Sequence, residues 1–243
     1  MGLTLLGGPM STGFSLEEEA LYDQTMAGVL NRLCKTRNPA DLLAVIRQAH
    51  KGFDRAYEAA PAEARAAVAC RAGCGICCHV PVGVQAHEVL LAAEYIQGNF
   101  PPAELEAVIA RFAAHRAAYA GRSMDERAAL RTPCAVLRDN SCSIYEARPE
   151  ACRSHHSRNL DGCRSNLETG LDIVDVLIPE IRGRMFAVML GIDQAATEAG
   201  FDDRAYDFGS AMHEALTDGL CAIRWMRHQP AFPDSCREES GEG

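Results

Sequence analysis

Four cysteines within nine residues dominate the chemistry that this sequence offers. The segment 70–78 reads CRAGCGICC and contains Cys70, Cys74, Cys77 and Cys78. Cys74 and Cys77 have the C-x-x-C spacing of a chelating loop, in which both sulfurs can bind one metal centre. The side chains of the adjacent Cys77 and Cys78 must diverge. We therefore expect them to bind different atoms of a cluster or different metals, or one of them to support the ligands from outside.

A second cysteine block follows in residues 132–163. It contains Cys134, Cys142 and Cys152, with Cys163 eleven residues further along the chain. The segment 139–141, Asp-Asn-Ser, is typical of a tight turn, so we expect Cys134 and Cys142 to face each other across a hairpin-like loop. The segment 145–152 is predicted to form one short helical turn.

Arginines are concentrated in this second block. Residues 131–164 hold six arginines but only four acidic residues, in a chain whose net charge is −9. One interpretation is a solvated loop. The alternative that we favour is that Arg148 and Arg153, close to Cys152, offset the charge of the thiolates, with Tyr145 beside them at the cofactor. Binding of an anionic ligand is a further alternative for the other arginines.

The two motifs together resemble a known family. The first motif followed by Cys134-x7-Cys142-Ser-Ile-Tyr-Glu-x-Arg-Pro-x2-Cys152-Arg153 is similar to the CxxCxxCC zinc- or iron-chelating family, the YkgJ-like cysteine-cluster proteins. Ser157 and Cys163 match one branch of that family. The resemblance implies a ligand set of eight cysteines: Cys70, Cys74, Cys77, Cys78, Cys134, Cys142, Cys152 and Cys163. It also points to a relative that is a flagellin lysine methylase with an iron–sulfur centre.

The metal itself is open at this point. Eight cysteines can form two four-cysteine zinc sites, or one four-iron cluster beside a second centre. Spread ligands next to a Cys-Cys pair favour an iron–sulfur cluster, or a multinuclear iron or zinc site, over zinc knuckles. His79, His155 and His156 lie close to cysteines, where an imidazole can replace a thiolate or carry a proton. The alternatives are an enzyme of peptide or protein modification and an interaction module stapled by zinc, so enzymatic activity stays undecided.

The elements that must position these residues are predicted to be helices. Alanine is abundant and aromatic residues make up 6% of the chain, a composition that favours helix over sheet. Ser15 with Glu18 forms a capping box, and Asn38-Pro39 is a helix start. We predict a mainly α protein with a single helical domain over 15–229 and an irregular cysteine-rich, metal-binding insert over 70–163. Segments 1–14 and 230–243 are predicted to be disordered tails.

Several other titratable residues are predicted not to bind metal. His50 lies on an apolar helix face and is predicted to be a packing histidine. His87-Glu88 begins like the H-E-x-x-H motif, but Leu91 occupies the place of the second histidine, so a zinc protease is excluded. The isolated cysteines are also predicted not to bind the metal: Cys34, Cys221 and Cys236.

Charge and hydropathy limit the partners. A net charge of −9 repels phosphate backbones, so we expect no nucleic-acid partner. No apolar run approaches the length of a membrane span, and no secretory signal is recognised. We therefore expect a cytoplasmic protein whose cysteines stay reduced. The expected partners are metal ions, with a protein or peptide substrate left open.

Overall fold

The prediction of a mainly α protein is confirmed. The computed structural model describes residues 13–169 and 175–238, and helices make up most of this part of the chain. The α-helices in these residues are α1 (Leu16–Leu33), α2 (Pro39–Glu58), α3 (Ala62–Ala66), α4 (Ala86–Asn99), α5 (Pro102–Tyr119), α6 (Met124–Leu130), α7 (Glu150–Ser154), α8 (Leu160–Thr169), α9 (Pro179–Glu198), α10 (Phe208–Thr217) and α11 (Cys221–Met226).

Helices α1, α2 and α9 form one part of the helical body. The predicted capping box of Ser15 and Glu18 begins α1, and the Asn38 side chain accepts the Asp41 N–H at the start of α2. The helices α1 and α9 cross closely at Gly191, where an added Cβ would lie 2.9 Å from the Tyr22 carbonyl oxygen. The glycine is thus required by a close approach of two backbones.

Helices α4, α5 and α10 form the other part, and both parts share one hydrophobic core. Ring pairs tie the second part together, with Phe112 edge-on to Phe208 at 6.0 Å between centroids. The fully buried Trp225 of α11 stacks at a tilt on Phe201. Trp225 is thus a core anchor where α11 meets α2 and α4.

Two short antiparallel sheets complete the described architecture. Strand β1 (Gly83–Val84) pairs with β4 (Tyr206–Asp207) and connects the cysteine-rich segment to the residues that lead into α10. Strand β2 (Leu137–Arg138) pairs with β3 (Ser141–Cys142). The turn between β2 and β3 has Asp139 and Asn140 at φ of 49° and 58°, the left-handed region that these residue types tolerate. The structure therefore forms the predicted tight turn.

Three expectations are corrected by the structure. Residues 230–238, predicted to be disordered, pack against the core, because Phe232 and Cys236 are buried apolar side chains and Arg237 pairs with Tyr206. The rest of the predicted tails, 1–12 and 239–243, lies outside the described residues. The segment 145–152 is two elements, a 3-10 turn at Tyr145–Ala147 and α7, because Arg148 is extended before a proline. Cys163, the last cysteine of the insert that is predicted to be irregular, lies on a helix, α8.

Membrane insertion finds no support in the helices of the described residues. None of them combines the length and the apolar character that a bilayer span requires.

Candidate metal centre

The two cysteine blocks meet at a backbone hydrogen bond. Cys77 and Cys78 lie on the 3-10 turn Ile76–His79, and the Cys78 carbonyl accepts the Cys134 N–H at 2.7 Å. A Cβ on Gly75 would lie 3.0 Å from Leu137 Cδ1, so the first loop presses directly on the β2–β3 hairpin. Residues more than fifty positions apart are therefore held side by side.

Ser157 connects both ends of the predicted ligand set. Its N–H donates to Cys70 Sγ at 3.2 Å, and its hydroxyl accepts from Cys163 Sγ at 3.1 Å. Ser157 is fully buried, and its carbonyl also accepts the Ala69 N–H. Burial raises the pKa of Cys70, the hydrogen bond with Ser157 opposes this, and nearby cysteines raise it further. The serine is thus placed to support two sulfurs at once.

Cys77 affects the pKa of cysteines from both blocks. It hydrogen-bonds with Cys78, which raises the pKa of Cys77. Its charge in turn contributes to the raised pKa of four other cysteines, after burial as the largest cause: Cys70, Cys134, Cys142 and Cys152. Burial brings the pKa of Cys134 to about 12. Thiols held neutral in this way release protons when a cation binds them.

The arginines predicted near the cofactor lie within electrostatic reach of the sulfurs. Arg148 lowers the pKa of Cys77 and of Cys142, opposing the larger effects that raise them, and Arg153 does the same for Cys142. The Arg148 guanidinium stacks 3.7 Å above the Tyr145 ring and donates to the Tyr145 carbonyl. Arg153 donates to the carbonyls of Glu146 and Arg148, which fixes its guanidinium beside α7.

The nearby histidines differ in their surroundings. His79 Nδ1 is 3.0 Å from the Gly75 carbonyl within its own turn. His156 stacks on Tyr57 with ring centroids 4.9 Å apart, and burial lowers its pKa. His155 also interacts with another group of the protein. The isolated cysteines lie elsewhere: Cys34 is exposed, and the buried Cys221 and Cys236 neighbour each other near α11.

The structure also brings together a buried group that the sequence reasoning missed. The ligand atoms of His50, His87 and Glu150 all lie within 4.8 Å of one another, the one such set of three or more among the residues described. The sequence predicts a packing role for His50 and an incomplete motif at His87-Glu88. Its one signal for this group is the adjacent pair of titratable residues, His87 and Glu88. The long sequence separations hid the rest.

Two cavities lie near these residues. One of about 270 Å³ opens beside Cys74 and is also lined by Arg71, His79 and Arg164. The other, about 460 Å³, has His50 and Arg153 in its wall.

Comparison with known proteins supports the metal-binding interpretation. Residues 69–169 match the family model CxxCxxCC, described as "Putative zinc- or iron-chelating domain". This match confirms the resemblance predicted from the two motifs and includes all eight cysteines predicted as ligands. No curated protein and no solved structure matches the chain significantly.

Proposed function

We propose that the cysteines of residues 70–163 bind an iron–sulfur cluster or a multinuclear iron or zinc site, in a cytosolic protein. The family match to a zinc- or iron-chelating domain supports metal binding at this segment. A reducing compartment suits the proposal, because the ligands must stay thiols that can deprotonate. The proposed ligands are Cys70, Cys74, Cys77, Cys78, Cys134, Cys142, Cys152 and Cys163.

The observation that carries this proposal is the close approach of the two cysteine blocks. The Cys134 N–H donates to the Cys78 carbonyl at 2.7 Å, and Ser157 hydrogen-bonds with both Cys70 and Cys163. Packing several thiols together is costly for the protein once they ionise, unless a cation neutralises them. Arg148 and Arg153 supply part of that positive charge, and a metal centre would supply the rest.

The spread of the second block favours a multinuclear centre. A structural zinc site is usually built from two closely spaced cysteine pairs, and among the proposed ligands Cys74 and Cys77 form the one pair with that spacing. The cysteines of the second block are spread along the chain: Cys134, Cys142, Cys152 and Cys163. This pattern supports an iron–sulfur or multinuclear centre over two zinc knuckles.

Anaerobic purification followed by metal and sulfide analysis tests the proposal. We expect iron with acid-labile sulfide, and a visible charge-transfer absorbance that bleaches on reduction. A colourless protein with bound zinc would replace the iron–sulfur centre with zinc, in agreement with an interaction module stapled by that metal. A protein without iron or zinc would contradict metal binding altogether.

Replacement of Cys77 tests the ligand assignment. We expect Cys77→Ser to lose most of the bound metal, because this residue lies among cysteines of both blocks and binding energy at such a site is folding energy. The matched control is Cys34→Ser, at an exposed cysteine outside the cluster, which should keep the metal. Equal metal content in the two variants would contradict the assignment.

A second candidate function is modification of a peptide or protein at this centre. The observation that favours it is the 270 Å³ cavity beside Cys74, which offers space for a side chain next to the proposed ligands. The lysine methylase in the resembling family suggests methyl transfer to a lysine. Mass spectrometry of lysine peptides after incubation with protein and methyl donor tests it. Modification that is lost in Cys77→Ser supports this function, and its absence in the wild type contradicts methyl transfer.

A further inference from the structure

Four helices deliver nitrogen and oxygen ligands to one buried point. His50 comes from α2, His87 from α4, Glu150 from α7 and Asp193 from α9. Glu150 Oε1 is 2.8 Å from His50 Nε2 and 3.1 Å from His87 Nε2. Asp193 Oδ1 lies 3.7 Å from the same His87 nitrogen. Both imidazoles therefore turn the same ring nitrogen towards one carboxylate oxygen, with a second carboxylate at the edge.

Some ligand capacity in this group is unused within the described residues. Glu150 is 1% exposed, yet its Oε2 has no hydrogen-bond partner there. Asp193 Oδ1 likewise has no hydrogen bond. A buried acceptor without a donor costs about 1–3 kcal/mol, and a bound cation would satisfy both oxygens. Hydrogen bonds among these residues thus leave two oxygen atoms unsatisfied, whereas a bound metal ion would use them as ligands.

Carboxyl groups outnumber imidazoles around this point. Glu88 adds a third carboxyl group, and its Oε2 accepts the Glu150 N–H. Burial and the Glu150 charge raise the pKa of Glu88 to about 8 and that of Asp193 to about 7. The Glu150 Oε1 atom lies within hydrogen-bonding distance of both histidine Nε2 atoms.

The two histidines compensate this excess only in part. Burial lowers the pKa of His50, and its hydrogen bond with Glu150 does not make up the difference. Burial disfavours the charged form of His87 too, but Glu150 and Asp193 raise its pKa to about 9. One imidazolium, on His87, thus faces Glu150 and two further carboxyl groups whose raised pKa favours their neutral forms, and a divalent cation would stabilise the ionised forms.

We propose that His50, His87, Glu150 and Asp193 form a second, cysteine-free site for a divalent first-row metal ion. Two imidazoles with carboxylates are ligands that suit Fe²⁺, Mn²⁺ and Zn²⁺, whereas thiolates select softer centres. The ion would displace the protons shared by the two Nε2 atoms and Oε1 and lie to one side of these contacts, because metal–ligand bonds of about 2.0–2.2 Å do not fit between atoms 2.8 Å apart. His50 also lines the 460 Å³ cavity, which gives an ion or a small ligand a route to this site. The site is chemically independent of the proposed cysteine centre.

Manganese is the probe that separates the two centres. Mn²⁺ prefers oxygen and imidazole over thiolate, so it reports on this site while the cysteines keep their own metal. Electron paramagnetic resonance titration of the full-length, as-purified protein should show one bound Mn²⁺ per chain. The melting temperature should rise in parallel, because the ion binds the folded state only. A wild type that binds neither Mn²⁺, Fe²⁺ nor Zn²⁺ beyond the cysteine centre overturns the proposal.

Conservative variants assign the ligands. We expect His87→Gln and Asp193→Asn each to weaken Mn²⁺ binding at least tenfold. Asp193 is partly exposed, so Asp193→Asn decides the matter even if His87→Gln fails to fold. The control is His115→Gln, at a partly buried histidine that packs on Tyr119 outside this group, which should bind Mn²⁺ like the wild type. Unchanged Mn²⁺ affinity in Asp193→Asn with an intact cysteine centre contradicts the assignment.

Discussion

At the scale of single residues, the cysteine region depends on side chains that are not themselves ligands. Ser157 contacts Cys70 through its N–H and Cys163 through its hydroxyl, although 87 residues separate it from the first of these. Groups that hydrogen-bond to metal ligands fix the ligands' orientation and charge. Among the residues outside the proposed ligand set, replacement of Ser157 should therefore affect metal binding most directly.

We expect Ser157→Ala to weaken metal retention by about 10- to 100-fold, the usual effect of removing a support of the ligands. The free energy of unfolding should fall by about 1–3 kcal/mol, because the hydroxyl loses its bonds with Cys163 and with the Asn159 N–H and carbonyl. The backbone N–H of residue 157 keeps its bond to Cys70. Chelator competition and urea unfolding measure the two effects. Ser154→Ala is the control, since this buried serine bonds only the Ala151 carbonyl of its own helix. Equal metal retention in both variants would contradict the role of Ser157.

At the scale of elements, the five-residue helix α7 connects two chemistries. Glu150, at its first position, turns into the helical body towards α2, α4 and α9, where it meets the two histidines. Cys152, two residues later, lies near the cysteines of both blocks. Such a short helix gains little from its own hydrogen bonds, so these tertiary contacts must hold it in place.

The close crossing of α1 and α9 depends on the missing side chain of Gly191. We expect Gly191→Ala to lower the free energy of unfolding by about 1–3 kcal/mol, because the new methyl group meets the α1 backbone. Gly98→Ala in α4 is the control: nothing lies within 4 Å of the added Cβ, so it should be neutral or stabilise by about 0.5–1 kcal/mol. Urea unfolding measures both, and similar effects would contradict the close crossing.

At the scale of the whole molecule, a helical body carries an irregular cysteine-rich segment. The body has its own core of buried aliphatic and aromatic side chains. The cysteine-bearing parts of that segment, residues 70–79 and 132–163, contribute few buried apolar side chains, among them Val136, Ile144 and Ala147. We therefore infer that the body is stable without metal and that the segment depends on it.

Metal removal tests this division of stability. In the chelated protein we expect hydrogen exchange to speed up throughout residues 70–79 and 132–163, while α1 and α9 stay protected. Far-ultraviolet circular dichroism should keep most of its helical signal. Loss of protection in α1 and α9 at the same chelator concentration would show instead that the whole chain folds around the metal.

Local patterns in the sequence were enough to predict the helices and the cysteine motifs. The capping box at Ser15, the helix start at Asn38 and the turn at Asp139-Asn140 all formed as expected, because each depends on residues only a few positions apart. Where distant contacts compete with local preference, the predictions failed. Residues 230–238 are predicted to be a disordered tail, but Phe232 and Cys236 are buried in the core.

The sequence by itself determined that this is a helical protein with a metal-chelating cysteine segment, since residue type and short spacing carry that information. Only the tertiary structure decided that Cys77 lies among cysteines of both blocks and that Ser157 joins the ends of the set. It alone also assembled the histidines and carboxylates from four helices. Such groups are made by packing between distant segments, which leaves no periodic trace along the chain.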